Sequence, residues 1–225
     1  MDSSIGVVFD LDGTLVDSVY QHVLAWHEAL QQEGIDLSVW RIHRKIGMSG
    51  GLFAKALLRE TNRELDPGAT ARLQQLHQQA YMRRINQVRP LPGAKQLLSY
   101  LTEASIPWAI ATSGRGEAAA PSIELLSLPG NATIVTRDDV RHAKPDPDLF
   151  VEAMRRLGLD ATAAVIVGDS IWDMLAARRA RALGVGLLSG GDGHDELERT
   201  GAYRVYEDPA ALLFHLDEIG VRSSF

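Results

Sequence analysis

The sequence contains no cysteine among its 225 residues. This absence excludes a disulfide scaffold, thiolate metal ligands and a cysteine nucleophile, and it fits a reducing compartment. The sequence also lacks an apolar run of the about 18 residues that a membrane-spanning helix needs. Its first residues lack the basic and small-residue pattern of a signal peptide. We therefore expect a cytoplasmic protein with no membrane partner.

Positively charged residues are also fewer than negatively charged ones. The sequence has 23 Lys and Arg and 29 Asp and Glu, so its net charge is -6. A mildly acidic chain is a poor candidate for binding the phosphate backbone of DNA or RNA, so no nucleic-acid partner is expected. A small anionic substrate is not excluded, because local fields matter more than the total charge. The length fits one core domain with a modest insertion.

Short apolar runs predict six buried β-strands. The runs cover residues 5–9, 106–111, 132–135, 163–167, 184–188 and 203–206. Helical patterns separate the first five runs from one another. The glycine-rich residues 189–193, which follow the fifth run, are interpreted as a flexible loop near the rim of the site, in which Asp192 is solvated. Strands that are apolar on both faces and alternate with helices are typical of a parallel sheet covered by helices on both sides.

One long segment interrupts this alternation. Between Val19 and about Val88 the apolar residues recur at helical spacing, and no strand pattern is present. We therefore expect an α/β core formed by residues 1–17 and 89–225, into which residues 18–88 are inserted as an all-helical domain.

Two carboxylates, Asp10 and Asp12, follow the first predicted strand and precede Gly13. Ligands of parallel α/β sheets bind beyond the carboxyl ends of the strands. Carboxylates this close repel each other unless a cation or a shared proton offsets their negative charge. Carboxylate oxygens are hard ligands of the kind that Mg²⁺ prefers. A turn rich in aspartate is the alternative interpretation, and such turns are common after strands.

Three further motifs follow later strands. Asp169 and Asp173 come after the fourth strand, where Asp169 could instead cap the next helix. Lys144 lies in a loop that its prolines hold rigid, although a solvated surface lysine is the usual case. Thr112 and Ser113 follow the second strand, where they offer a phosphate site at a helix start or form a plain helix cap.

Taken together, these motifs resemble the haloacid dehalogenase superfamily of phosphohydrolases, in the family's order and over nearly the whole chain. The helical insertion is similar to the cap domain of the family branch that contains phosphoglycolate phosphatase and β-phosphoglucomutase. The resemblance implies a Rossmann-like three-layer core with a parallel central sheet, and a cap that closes over the site.

The resemblance also implies a Mg²⁺-dependent phosphatase that acts on a small phosphorylated metabolite. Asp10 would attack phosphorus and form an aspartyl-phosphate, and Asp12 would protonate the leaving oxygen. The ligands of Mg²⁺ would be Asp10, the backbone carbonyl of Asp12, and Asp169. Asp173 would support these ligands rather than bind the metal itself.

The same resemblance assigns residues to the substrate. Lys144 would steady the nucleophile, and Thr112 with the amide of Ser113 would hold the transferring oxygens. The residues of the cap that are expected near the substrate are His22, Gly47 and Ser49.

Other chemistries of the family are alternatives. Dehalogenases and phosphonatases lack an acid at the position of Asp12, which argues against both. A β-phosphoglucomutase-like mutase is the closer rival, because His22 matches the mutase pattern. However, Gly50 stands where the mutase loop carries an arginine for a second phosphate. A non-catalytic binding module on the same fold is a further alternative.

Overall fold

The computed structural model describes residues 5–61 and 67–222. Its strands, in chain order, are β1 (Gly6–Phe9), β2 (Val16–Asp17), β3 (Arg89–Pro90), β4 (Trp108–Ala111), β5 (Thr133–Val135), β6 (Ala164–Gly168), β7 (Leu183–Leu187) and β8 (Ala202–Tyr206). Six of them form one parallel sheet in the order β5-β4-β1-β6-β7-β8, while β2 and β3 pair antiparallel as a separate ribbon. The six predicted strands are all present in the sheet.

The helices lie between these strands. They are α1 (Val19–Gln32), α2 (Val39–His43), α3 (Gly50–Glu60), α4 (Pro67–Met82), α5 (Ala94–Glu103), α6 (Gly116–Glu124), α7 (Asp148–Leu157), α8 (Ile171–Ala180), α9 (His194–Thr200) and α10 (Pro209–Phe214). None of the helices in the described part of the chain is both long enough and apolar enough to cross a membrane.

The sheet is apolar on both faces because helices cover both of them. Side chains alternate along a strand, so Val7 and Phe9 of β1 belong to one hydrophobic cluster and Val8 belongs to another. The first cluster includes residues of α5, α6 and α10, and the second includes residues of α7 and α8. This three-layer arrangement is the predicted α/β fold.

The helices α1 to α4 form a helical insertion with a hydrophobic cluster of its own. Trp26 and Leu30 of α1, Phe53 and Leu57 of α3 and Leu73 of α4 are all buried in this cluster. The ribbon of β2 and β3 stands where the chain leaves the sheet and returns to it. The predicted combination of a parallel core with an inserted all-helical unit is therefore confirmed.

The helix α9 is absent from the sequence predictions. Only Leu197 is buried among its seven residues, and four of the others are Asp, Glu or Arg. A single buried side chain gives no helical period. The chain after β7 therefore indicated only a flexible glycine-rich loop, whereas the structure has a turn of 3₁₀ helix followed by α9.

Candidate active site

The centre of the site is a buried lysine between two aspartates. Asp10 directly follows β1, and its backbone N–H donates to the carbonyl of Val167 in the neighbouring strand. Lys144 Nζ lies 2.6 Å from Asp10 Oδ1 and 2.9 Å from Asp173 Oδ1. Lys144 is only 1% exposed, so the interpretation as a solvated surface lysine is wrong.

The charges of this group depend on one another. Burial alone would lower the pKa of Lys144, but the adjacent Asp10 and Asp173 outweigh it and raise that pKa above its ordinary value. Burial raises the pKa of Asp10 to about 7, although the Lys144 ammonium opposes this change. Asp10, the candidate nucleophile, is thus a buried carboxyl group in contact with one cation, the Lys144 ammonium.

Asp169 follows β6 and lies in a cradle of small residues. Thr14 Oγ1 donates to Asp169 Oδ1 at 2.7 Å. A Cβ added to Gly190 would lie 1.8 Å from Asp169 Oδ2, and one added to Gly13 would lie 2.3 Å from the same oxygen. Gly13 also has a φ of +80°, which favours glycine. Burial, together with the charges of Asp173 and Asp10, holds the pKa of Asp169 well above its ordinary value.

Asp173 has both carboxylate oxygens engaged within the protein. Oδ1 accepts from Lys144, and Oδ2 accepts from the backbone N–H of Ser170 at 3.1 Å and from its hydroxyl at 2.5 Å. These bonds form a capping box in which Ser170 is the N-cap of α8. The alternative that Asp169 caps this helix is therefore wrong.

The carboxylates fit a divalent cation. Oxygens of Asp10, Asp169 and Asp173 all lie within 4.8 Å of one another. Three carboxylates against the single ammonium of Lys144 leave excess negative charge in a buried place, which a cation would offset. Among the described residues, none donates a hydrogen bond to Asp169 Oδ2. This oxygen set is one that Mg²⁺ prefers.

Asp12 lies outside this group of three carboxylates and faces the helical insertion. Its Oδ1 accepts from Ser18 Oγ at 2.6 Å and lies 3.2 Å from His22 Nε2. Burial raises the pKa of Asp12, but His22 and the hydroxyl of Ser18 outweigh it, so the pKa lies below its ordinary value. His22 thus contacts Asp12, the proposed acid of the reaction.

His77 is a site residue that the sequence analysis missed. Its Nε2 lies 3.1 Å from His22 Nδ1, on the side of His22 away from Asp12. The His22 ring stacks on Tyr81 at 3.9 Å, and the His77 ring stacks on Trp26 at 4.1 Å. The one signal in the sequence is that His77 and Tyr81 stand four residues apart, which places both side chains on the same face of a helix.

The phosphate candidates lie on the loop between β4 and α6. Thr112 is buried, and its Oγ1 accepts from the backbone N–H of Gly114 at 3.0 Å. The N-cap of α6 is Arg115, so Thr112 and Ser113 are not plain helix caps. Ser113 Oγ donates to the Gly47 carbonyl at 3.5 Å, which brings the loop before α3 to the site.

A cavity of about 730 Å³ lies between the carboxyl ends of the strands and the helical insertion. The residues predicted for the site that line it are Asp10, Asp12, His22, Gly47, Ser49, Thr112, Ser113 and Lys144. Asp169 and Asp173 do not line it. Eight of the ten predicted site residues therefore line one cleft, and the other two lie next to it, with carboxylate oxygens within 4.8 Å of an oxygen of Asp10.

Asp192 corrects a further expectation, because the sequence analysis interpreted it as solvated. Its side chain is only 10% exposed, and its Oδ1 lies 3.1 Å from Arg44 NH1. Its Oδ2 accepts from the backbone N–H of Ile171 at 2.9 Å. The reason is that the turn after β7 folds against the start of α8, where amide groups attract a carboxylate.

The fold and the site together define a hydrolase of the haloacid dehalogenase-like class. The model of the haloacid dehalogenase-like hydrolase family matches residues 6–181, which is most of the chain, and the protein belongs to this family. The family predicted from the sequence is thus confirmed, and the protein is an enzyme.

Several named proteins are similar to this chain. A solved hydrolase from Pseudomonas syringae has a TM-score of 0.93 and 54% identity, covering 96% of this chain and 99% of its own. Hexitol phosphatase A of Escherichia coli (strain K12) is 33% identical over 73% of this chain and 74% of its own. A phosphoglycolate phosphatase of Yersinia pseudotuberculosis is 31% identical over 82% of this chain and 81% of its own.

Proposed function

We propose that the protein is a Mg²⁺-dependent phosphatase that hydrolyses a small phosphomonoester through an aspartyl-phosphate on Asp10. The observation that carries this proposal is the contact of Lys144 Nζ with Asp10 Oδ1 at 2.6 Å, beside the cavity. The names of the phosphatases similar to this chain support the same reaction class.

In the first half of the reaction, an oxygen of Asp10 attacks phosphorus while the bond from phosphorus to the alcohol oxygen breaks. Asp12 gives its proton to that oxygen, so a neutral alcohol leaves. The pKa of Asp12 is low without substrate, and an arriving phosphate dianion raises it. His22 Nε2, 3.2 Å from Asp12 Oδ1, is a ring nitrogen that can share this proton.

In the second half, Asp12 takes a proton from water, and the resulting hydroxide attacks phosphorus and releases Asp10. Lys144 keeps Asp10 oriented in both halves, and Thr112 with the amide of Ser113 holds the phosphoryl oxygens. Asp10, Asp169 and the backbone carbonyl of Asp12 would hold Mg²⁺, which would supply positive charge against the phosphate.

We also propose that residues 18–88 act as a cap on a core of residues 1–17 and 89–225. The separate hydrophobic cluster of α1 to α4 and the β2–β3 ribbon at their base support this division. Ser49 in the cap donates its backbone N–H to the Lys144 carbonyl at 3.3 Å, so the cap contacts the catalytic loop. A closed cap excludes water while the aspartyl-phosphate forms.

The alternatives have weaker support. A mutase needs a cation for a second phosphate, and the start of α3 offers Gly50 and Gly51 at the cavity. A non-catalytic module has no need of the buried group of Asp10, Lys144 and Asp173, which is unfavourable unless it is fully paired.

Turnover of p-nitrophenyl phosphate tests the proposal. We expect turnover with Mg²⁺, loss of it after EDTA treatment, and its return when Mg²⁺ is added. The Asp10→Asn variant should be inactive but folded, because the amide keeps the shape and removes the nucleophile. Asp160 is exposed and its side chain caps nothing, so Asp160→Asn is the matched control and should keep full turnover. Activity of a sequence-verified Asp10→Asn protein that is free of deamidation would overturn the proposal.

A further inference from the structure

One face of α4 presents polar side chains to the cavity. Gln74, His77, Gln78 and Tyr81 follow one another at spacings of three, one and three residues, and all four line the cavity. Residues three, four and seven positions apart lie on the same side of a helix. We call Gln74 and Gln78 the glutamine pair.

The amides of the glutamine pair have no partner within the described part of the chain, whereas the other two residues of this face do. His77 contacts His22 at 3.1 Å, and the Tyr81 hydroxyl lies 2.9 Å from Ser122 Oγ. A Cβ at position 50 would lie 3.0 Å from Gln74 Nε2, so the glycine there leaves this amide uncovered. The glutamine pair is therefore available to a ligand.

The cap wall around the glutamine pair is neutral. Burial, together with the neighbouring His22, holds the pKa of His77 well below its ordinary value, so this ring is uncharged at neutral pH. Trp26 stacks on His77 at 4.1 Å and on Phe53 at 4.4 Å, which adds an apolar surface. Lys55, on α3, is a cation of the cap that lines the cavity, and it is exposed.

The cations on the core side of the cavity are also unsuited to a second anionic group. Lys144 is buried but engaged with two aspartates. Arg137 donates to the backbone carbonyls of Val140 and Arg141. Arg115 and Arg141 are exposed. Among the described residues that line the cavity, a carboxylate or a second phosphate would therefore find no buried cation that is free to form a charge-assisted hydrogen bond with it.

We propose that Gln74 and Gln78 determine specificity, and that they select a neutral polyhydroxylated leaving group. The substrate is then a sugar or polyol monophosphate rather than phosphoglycolate or a bisphosphate. This inference rests on the proposed phosphatase activity. An amide both donates and accepts hydrogen bonds, as a hydroxyl does. The cavity of about 730 Å³ also has room for a leaving group much larger than glycolate.

The test measures kcat/KM for a hexitol 6-phosphate, phosphoglycolate, fructose 1,6-bisphosphate and p-nitrophenyl phosphate. We expect the wild type to prefer the hexitol 6-phosphate. Gln74→Met and Gln78→Met keep the side-chain length and remove the hydrogen bonds. Each should lower kcat/KM for the hexitol 6-phosphate by about 5- to 10-fold relative to kcat/KM for p-nitrophenyl phosphate, whose leaving group has no hydroxyls for the amides to bind. Gln79 is exposed on the same helix and does not line the cavity, so Gln79→Met is the control and should change neither value.

Two results would overturn the inference while leaving the phosphatase proposal intact. One is turnover of p-nitrophenyl phosphate by a wild type that prefers phosphoglycolate or the bisphosphate. The other is an equal loss on the hexitol 6-phosphate and on p-nitrophenyl phosphate in both glutamine variants, which would indicate a structural role. A folded wild type that hydrolyses none of the four compounds would instead overturn the phosphatase proposal, and this inference with it.

Discussion

At the scale of single residues, the absence of a side chain on Gly190 leaves room for the Asp169 carboxylate. Because a Cβ on Gly190 would lie 1.8 Å from Asp169 Oδ2, any side chain there forces Asp169 or the turn to move. We expect Gly190→Ala to weaken Mg²⁺ activation by about 10- to 100-fold, which is the usual effect of disturbing a residue that orients a metal ligand. The measurement is the Mg²⁺ concentration that gives half-maximal phosphatase activity.

Gly130 provides the control for this prediction, since a Cβ added there meets nothing within 4 Å. Gly130→Ala should therefore activate like the wild type. If the Gly190→Ala protein and the wild type reach half-maximal activity at the same Mg²⁺ concentration, Asp169 does not bind the metal through the oxygen that faces Gly190.

Lys144 allows a prediction on stability at the same scale. Replacing it with Met leaves Asp10 and Asp173 buried without their shared cation. Breaking a buried ion pair by removing one partner lowers the free energy of unfolding by about 3–5 kcal/mol, and we expect Lys144→Met to fall in this range in urea unfolding without added metal.

Lys95 is exposed and bonded only to Ser127 Oγ, at 3.2 Å, among the described residues. Lys95→Met is therefore the matched control and should unfold within about 0.5 kcal/mol of the wild type. A Lys144→Met protein as stable as this control would show that the buried aspartates need no cation.

At the scale of elements, ion pairs join the end of α2, in the helical insertion, to α9, which follows β7 of the sheet. Arg44 follows α2, and its guanidinium donates to Glu196 of α9 at 2.7 and 2.9 Å and to Asp192 at 3.1 Å. Asp192 in turn accepts from the first N–H of α8. This chain of contacts ties the proposed cap to the turn that carries Gly190.

We expect Arg44→Met to raise KM for p-nitrophenyl phosphate about 2- to 5-fold with little change in kcat, since a partly exposed ion pair contributes about 1 kcal/mol or less to holding the cap closed. Added salt should raise KM of the wild type and not of the variant. Arg59 is exposed on the cap and forms no ion pair with any described residue, so Arg59→Met should behave like the wild type. A wild-type KM and salt dependence in Arg44→Met would contradict the prediction.

The sequence predicts elements where the signal is local. The strands of the sheet are short apolar runs, and Asp10, Asp12 and Asp169 follow such runs directly. The sequence could not predict that Lys144 contacts Asp173, since 29 residues separate them. It also could not predict the role of Gln74 or His77, because on a long helix these residues are ordinary polar positions until the cavity is known. Asp192 was misinterpreted because its partners, Arg44 and the backbone N–H of Ile171, come from distant parts of the chain.

At the scale of the whole molecule, the proposed specificity and the proposed chemistry lie in different parts of the chain. The core carries the proposed nucleophile Asp10, its lysine and the carboxylates, while the helical insertion supplies most of the neutral wall of the cavity. A change on that wall should therefore alter which substrate is chosen without altering the reaction. Gly50 is a suitable place for such a change, because it begins α3 and lines the cavity.

We expect Gly50→Arg to raise the ratio of kcat/KM for fructose 1,6-bisphosphate to that for the hexitol 6-phosphate by about 10-fold or more, since a charge-assisted hydrogen bond contributes about 1.5–3 kcal/mol. The new side chain meets only the flexible end of Gln74, at 3.0 Å from its Cβ, so the fold should accept it. Gly130→Arg, far from any neighbour, controls for the added charge and should leave the ratio unchanged. The p-nitrophenyl phosphate rate and the Mg²⁺ dependence report whether the core still works. If both stay at wild-type values and the ratio does not move, the start of α3 does not reach the substrate, and the cap does not determine specificity at this position.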